Sequence, residues 1–377
     1  MASSVFHDQI NEVSQNDRLR PVHPNLARKD SCVFVGDWMK RTRTISSIHN
    51  HCSYPHSFFA SLNPKGEVTA TIVIRATFRI MGNALEVAAA QHPVRLADQF
   101  YGDPLTSSLR AASDLAIYKP RGDVVFIDPI ARSTSLAPMP HWSVSVRVSD
   151  KVDCEFTISG VTKWRRRFGI WQLSPPKPCR RVPIFYELSA GSAADNPSSK
   201  VTCPAKRQTK MVANGPRVFS NTVRGGPDWN SPKLTGLGPL APHWKSRLTF
   251  AGTYNDVWTS LKWPLLPDDF NYEFFNCAHP DLRANSFFDG NEVVSIAGMC
   301  RSGLRQFQLP ALPNPGIAMS ATNSLNRYYA TCNLDTIEID MNREEVSLIW
   351  RSAFEPPTEP VTAEVLPNLP EECHNAA

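Results

Sequence analysis

The sequence predicts a mainly β protein, sandwich-like, of antiparallel hairpins and sheets with few short helices and long loops. Three observations carry this. The 377 residues include 32 Pro against 18 Gly, and proline, which fixes φ and removes a backbone donor, rules out a chain of long helices. Several segments alternate apolar and polar residues with the period of two of a half-buried strand. Turn residues sit between such segments where a hairpin needs them.

The first alternating run opens at Val68, with Ile72, Ile74, Ala76, Phe78 and Ile80 on one face and Val73, Arg75, Thr77 and Arg79 on the other. Gly82-Asn83 then reads as a hairpin turn before Leu85 and Val87, because both residues tolerate positive φ. In the second hairpin Trp142, Val144, Val146 and Val148 share a face. After Asp150-Lys151 the inward set resumes with Val152, Cys154, Phe156 and Ile158. A third places Ile337 and Ile339 before Asn342-Arg343, and Val346, Leu348 and Trp350 after it. Each is expected to keep one wet face. Short helices are expected within Thr253–Leu261 and Pro267–Phe275, with Asp268-Asp269 as a helix N-cap.

Composition divides the chain into five parts. Residues 1–60 read as an irregular arm, 61–190 as a β-rich N-terminal subdomain and 236–353 as a β-rich C-terminal subdomain. Between them, 191–235 is a Pro/Gly/Ser-rich connection with basic residues Lys200, Lys206, Arg207, Lys210, Arg217, Arg224 and Lys233. Residues 354–377 carry no Lys or Arg and read as an acidic tail without structure. The N-terminus lacks the apolar core of a secretory signal, and no apolar run reaches the ~18 residues of a membrane span, so a cytoplasmic protein without membrane partners is expected. The nine cysteines form no CxxC pair and read as free, mostly buried thiols.

Net charge is +5 and widely spread. The best basic-aromatic cluster, Lys163 and Trp164 to Phe168, could meet phosphate and bases or equally an acidic protein surface, and nucleic acid is not the expected partner. His49, His51, Cys52 and His56 offer nitrogen and sulfur ligands, but their spacing matches no standard zinc site, so no metal is expected. No nucleophile elbow, phosphate loop, metalloprotease helix or dinucleotide fingerprint occurs. Catalytic residues and cofactors are therefore expected to be none. The enzymatic alternative is a metal-dependent hydrolase built from Asp98, Asp103, Asp123 or Asp269.

The densest run of large apolar residues lies between Leu237 and Leu282. Gly238, Pro239, Trp244, Arg247, Gly252, Thr253, Tyr254, Trp258, Pro264, Leu265, Leu266, Pro267, Asp269, Phe270, Phe275, Ala278 and Asp281 resemble the signature of the bacterial family termed domain of unknown function 2169. An earlier block from Arg95 to Val124, with Asp98, Tyr101, Gly102, Asp103, Lys119 and Asp123, and a middle element with Tyr186 and Glu187, follow the same family order. Asn255, Asn271 and Leu282 depart from the family's Asp, Asp and Gln, and Leu188 from its Arg. The resemblance implies a non-enzymatic adaptor or chaperone encoded beside type VI secretion genes, whose partners are a cognate secreted effector and a spike or spike-tip protein. The aromatic and proline set then has two readings, a packed subdomain core or a groove for an effector segment.

Overall fold

The structure is a computed structural model that describes residues 45–135, 137–189, 197–198, 215–220 and 234–369. It is mainly β, with three larger sheets and short two-stranded ribbons. The only α-helices among the described residues are Lys245–Leu248 and Asp256–Leu261, joined by 3-10 turns at Tyr186–Leu188, Tyr272–Phe275 and Pro280–Leu282. None is long and apolar enough to cross a membrane.

The six-stranded sheet is built on Val68–Met81, which pairs with His56–Leu62 on one side and Glu345–Phe354 on the other. Asn333–Asp340 and then the parallel strand Asp123–Phe126 extend it, while Ala84–Val87 folds back on Val68–Met81 through Gly82, at φ +63°. The five-stranded sheet runs Gly215–Ser220, Val152–Thr162, His141–Val148, Val293–Ala297, Leu304–Gln308. In the four-stranded sheet Val361–Leu366 lies between Ile45–Asn50, parallel, and Gly316–Ala321, antiparallel, with Arg327–Thr331 at the far edge. Strands from 61–190 and from 236–353 thus share sheets.

One apolar cluster joins the inner faces of all three sheets. Ile72, Phe78, Ile337 and Leu348 meet Val144, Phe156, Val294 and Ile296, and beyond them Ile317, Met319, Val361 and Val365. This is the sandwich-like core the alternation predicts, and the second hairpin keeps its wet face, with strand His141–Val148 alternating exposed or half-buried with buried positions throughout.

Two expectations change. Strand Val68–Met81, as far as Phe78, and the third hairpin are buried on both faces, because segment 88–123 lies across the outer face of the six-stranded sheet, whereas Ala84–Val87 keeps three of its four residues exposed. Val94 packs on Val73 and Ile349, Thr71 donates to the Ile117 carbonyl, and Arg351 donates to the Asp114 and Ala116 carbonyls. The acidic tail is also not uniformly irregular: Val361, Ala363 and Val365 are fully buried in a central strand. Likewise the arm contains strand Ile45–Asn50 and the start of His56–Leu62, and the basic connection contains strand Gly215–Ser220. The remainder of 1–44, of that connection, and 370–377 lie outside the described residues.

Among the described residues the cysteines are free, with Cys52, Cys154, Cys277 and Cys332 buried. Burial alone pushes the Cys52 thiol up to about 11, which removes thiolate reactivity near neutral pH.

Candidate functional site

The covered outer face places charge where a strand normally puts apolar groups. Arg75, 1% exposed, donates to Asp114 at 3.1 Å and to Glu338. Arg95 forks onto both oxygens of Glu338 at 2.7 and 3.0 Å. Burial raises the Glu338 carboxyl, but the two guanidiniums outweigh it and hold it down to about 2. Arg351 donates to Asp335 at 2.8 Å.

The second network uses family residues. Lys119 donates to Asp123 at 2.9 Å and to Thr336 at 2.8 Å. Asp123 also accepts from the Asn276 amide and the Cys277 backbone N–H. Burial opposes ionisation of Asp123, yet Lys119 and Arg283 win and keep its carboxyl below the usual range. Asp123, held by Lys119, therefore ties segment 119–123 to Asn276 and Cys277 in the middle of the Tyr272–Leu282 stretch.

The Leu237–Leu282 segment is anchored by Trp244, which is fully buried and meets Tyr186 edge-on at 5.2 Å. The Tyr186 hydroxyl donates to the Gly238 carbonyl at 2.8 Å. Arg247 is buried with its guanidinium donating to the Phe274 and Leu240 carbonyls, over the Phe274 ring. Burial pushes this guanidinium below its usual range. Phe270, Phe274 and Phe275 pack against one another at 5.6–5.7 Å between ring centres. Gly252 has φ +81°, and a Cβ there would lie 2.9 Å from Asp269 Oδ1, so both conformation and space require glycine.

Most of the remaining family residues serve local order. Asp269 is not a helix cap: it accepts from the Thr253 N–H and hydroxyl, closing the loop that precedes Asp256–Leu261. The hydroxyl bond in particular keeps its carboxyl below the usual range, and Asp268 pairs with Lys262. The Trp258 indole donates to the Leu265 carbonyl at 2.9 Å and meets Tyr254 edge-on at 4.7 Å. Asp98 accepts from the Ser113 N–H, Asp103 shapes the turn at Gly102–Ser107, Tyr101 packs on Phe185, Glu187 binds Ser108, and Asp281 faces His279. The departures Asn255 and Asn271 each accept a backbone N–H as N-caps, a task Asn does as well as Asp, and Leu282 is fully buried in the core.

Asp98, Asp103, Asp123 and Asp269 each hold their own neighbours, and no group of three metal-ligating side chains occurs among the described residues. His49 and His51 are exposed at the end of a strand whereas Cys52 turns inward. A polar cleft of about 390 Å³ opens beside Arg95, Arg110, Glu338, Asp340 and Arg343. Its charges neutralise one another as Arg95–Glu338, Arg110–Asp128 and Arg343–Asp340 pairs.

Part of what the family segment leaves outside is apolar. Helix Asp256–Leu261 buries none of its residues. Val257 is 62% exposed and Leu261 77%, followed by Trp263 at 52% and the exposed Pro264. The sequence pattern singles out Trp258, Pro264 and Leu265 in this stretch but not Val257 and Leu261. Their signal was present, because the two stand four apart on a helix and share one side.

Together these features give a sandwich-like, mainly β scaffold carrying an aromatic-proline segment whose short helix leaves Val257 and Leu261 exposed. The family model described as "uncharacterized protein conserved in bacteria", domain of unknown function 2169, matches residues 65–351, and the chain belongs to that family. No curated protein and no solved structure matches the chain.

Proposed function

We propose that this chain is a non-enzymatic adaptor or chaperone that binds a cognate secreted effector and helps to load it onto the type VI secretion spike. The observation that carries the reading is the crest: a helix with no buried residue that displays Val257 and Leu261. Exposed apolar groups held on a fixed support mark interaction sites, and the support here is the Asp269–Thr253 and Trp258–Leu265 bonding. The resemblance to effector adaptors supplies the partner class.

The test is binding of the effector encoded beside this gene. Val257→Asp combined with Leu261→Asp is expected to weaken that complex by about a hundredfold or more, since each buried aliphatic side chain contributes roughly 1.5–3 kcal/mol. Unfolding should shift by less than about 1 kcal/mol, because both side chains are exposed. Unchanged effector binding by the double variant, or unchanged effector level and export in a deletion strain, would overturn the reading.

A further inference from the structure

The basic-aromatic cluster forms a hairpin of its own. Trp164–Arg167 pairs with Ile170–Leu173, and among the described residues neither strand pairs with a third. The ribbon runs outward from strand Val152–Thr162 through the Val161–Lys177 bridge and the Ser174–Lys163 hydrogen bond. Because Arg167 faces Ile170, the loop is the two residues Phe168 and Gly169, at φ +49° and +78°. Positive φ at both positions is the type I′ pattern, which favours Asn-Gly. A bulky residue such as phenylalanine rarely adopts it.

Phe168 nevertheless occupies the first turn position, and its side chain gains nothing within the chain, being 99% exposed. A residue that suits neither its backbone nor its solvent is explained by something outside the chain. Its surroundings specify the chemistry. Lys163, Arg165 and Arg167 are exposed and, at alternate positions, share one face of the ribbon. A ring accessible on all sides at an apex suits a pocket that encloses it, whereas base stacking uses rings laid flat along a groove.

We propose that this hairpin is a docking prong whose Phe168 inserts into an apolar pocket rimmed by carboxylates on a partner protein. The prong is separate from the Val257–Leu261 crest, and its test does not depend on the crest's partner.

Two measurements on the full-length chain decide it. Phe168→Asn installs the preferred turn residue, so amide exchange across 164–173 should be equal to wild type or slower. Faster exchange would make Phe168 a structural turn residue and end the proposal. Separately, p-benzoyl-phenylalanine at position 168, with Leu325 (100% exposed) as the control position, is crosslinked in the native host. The adduct is purified as a recombinant protein and titrated with this chain. Support requires crosslinks at an acidic apolar site, and binding weakened about tenfold or more by Phe168→Asn and by Arg165→Glu with Arg167→Glu, the ratio that burial of one ring sustains. A nucleic-acid adduct, no adduct specific to position 168, or a smaller loss overturns it.

Discussion

Asp123→Ala is expected to lower the unfolding free energy by about 3–5 kcal/mol, the cost of leaving a buried charge without its partner. Lys119 would keep only the Thr336 hydroxyl, and the Asn276 amide and Cys277 N–H would lose their shared acceptor. Asp123→Asn retains an acceptor oxygen without the charge and should fall between the two. Urea unfolding followed by tryptophan fluorescence reads the effect as a lower midpoint at unchanged slope. A loss under about 1 kcal/mol would mean that the 119–123 and 276–277 segments are held by packing alone.

Acid should weaken the fold through Glu338. Its folded value of about 2 lies below the ordinary glutamate value. The associated stability is present above the unfolded value and is lost as pH falls from about 4.5 toward 2. The displacement corresponds to roughly 3 kcal/mol. Asp335 works in the opposite sense, because burial raises its carboxyl despite Arg351, so the bulk pH profile mixes the two. Glu338→Gln isolates this carboxylate's contribution. The variant should be markedly less stable at pH 6, and the gap should close toward pH 2. Parallel profiles for wild type and variant would show that Arg75 and Arg95 do not depend on this carboxylate.

These networks also explain how much of the molecule its sequence discloses. Period-two alternation locates the strands around Phe78, Val146, Phe156 and Leu348, because each inward set packs into one core. It does not disclose that Arg75, Glu338 and Arg351 are covered, since the covering segment is an irregular stretch between Ala88 and Asp123 without a periodic signal. Charged residues on a strand face read as solvated until something is known to lie over them. Strand Val361–Leu366 was hidden for a related reason. Pro357, Pro360 and Pro367 punctuate it, and its partners are supplied by residues 45–50 and 316–321, far away in sequence. The family segment was legible as a block, yet Trp244 and Phe274 are interior, and the exposed crest combines Trp263 with the less conspicuous aliphatics Val257 and Leu261.

The position of Val361–Leu366 has a consequence for the order of folding. Among the described residues, Ile45–Asn50 has its one strand partner in this segment, far along the chain. Val68–Met81 finds local partners in His56–Leu62 and Ala84–Val87, yet its other long edge is completed by the similarly distant Glu345–Phe354. Pairings this far apart in sequence make closure of both sheets a slow, late step of folding. A chain truncated before Val361 leaves Ile45–Asn50 and Gly316–Ala321 as open edges prone to pair with other molecules.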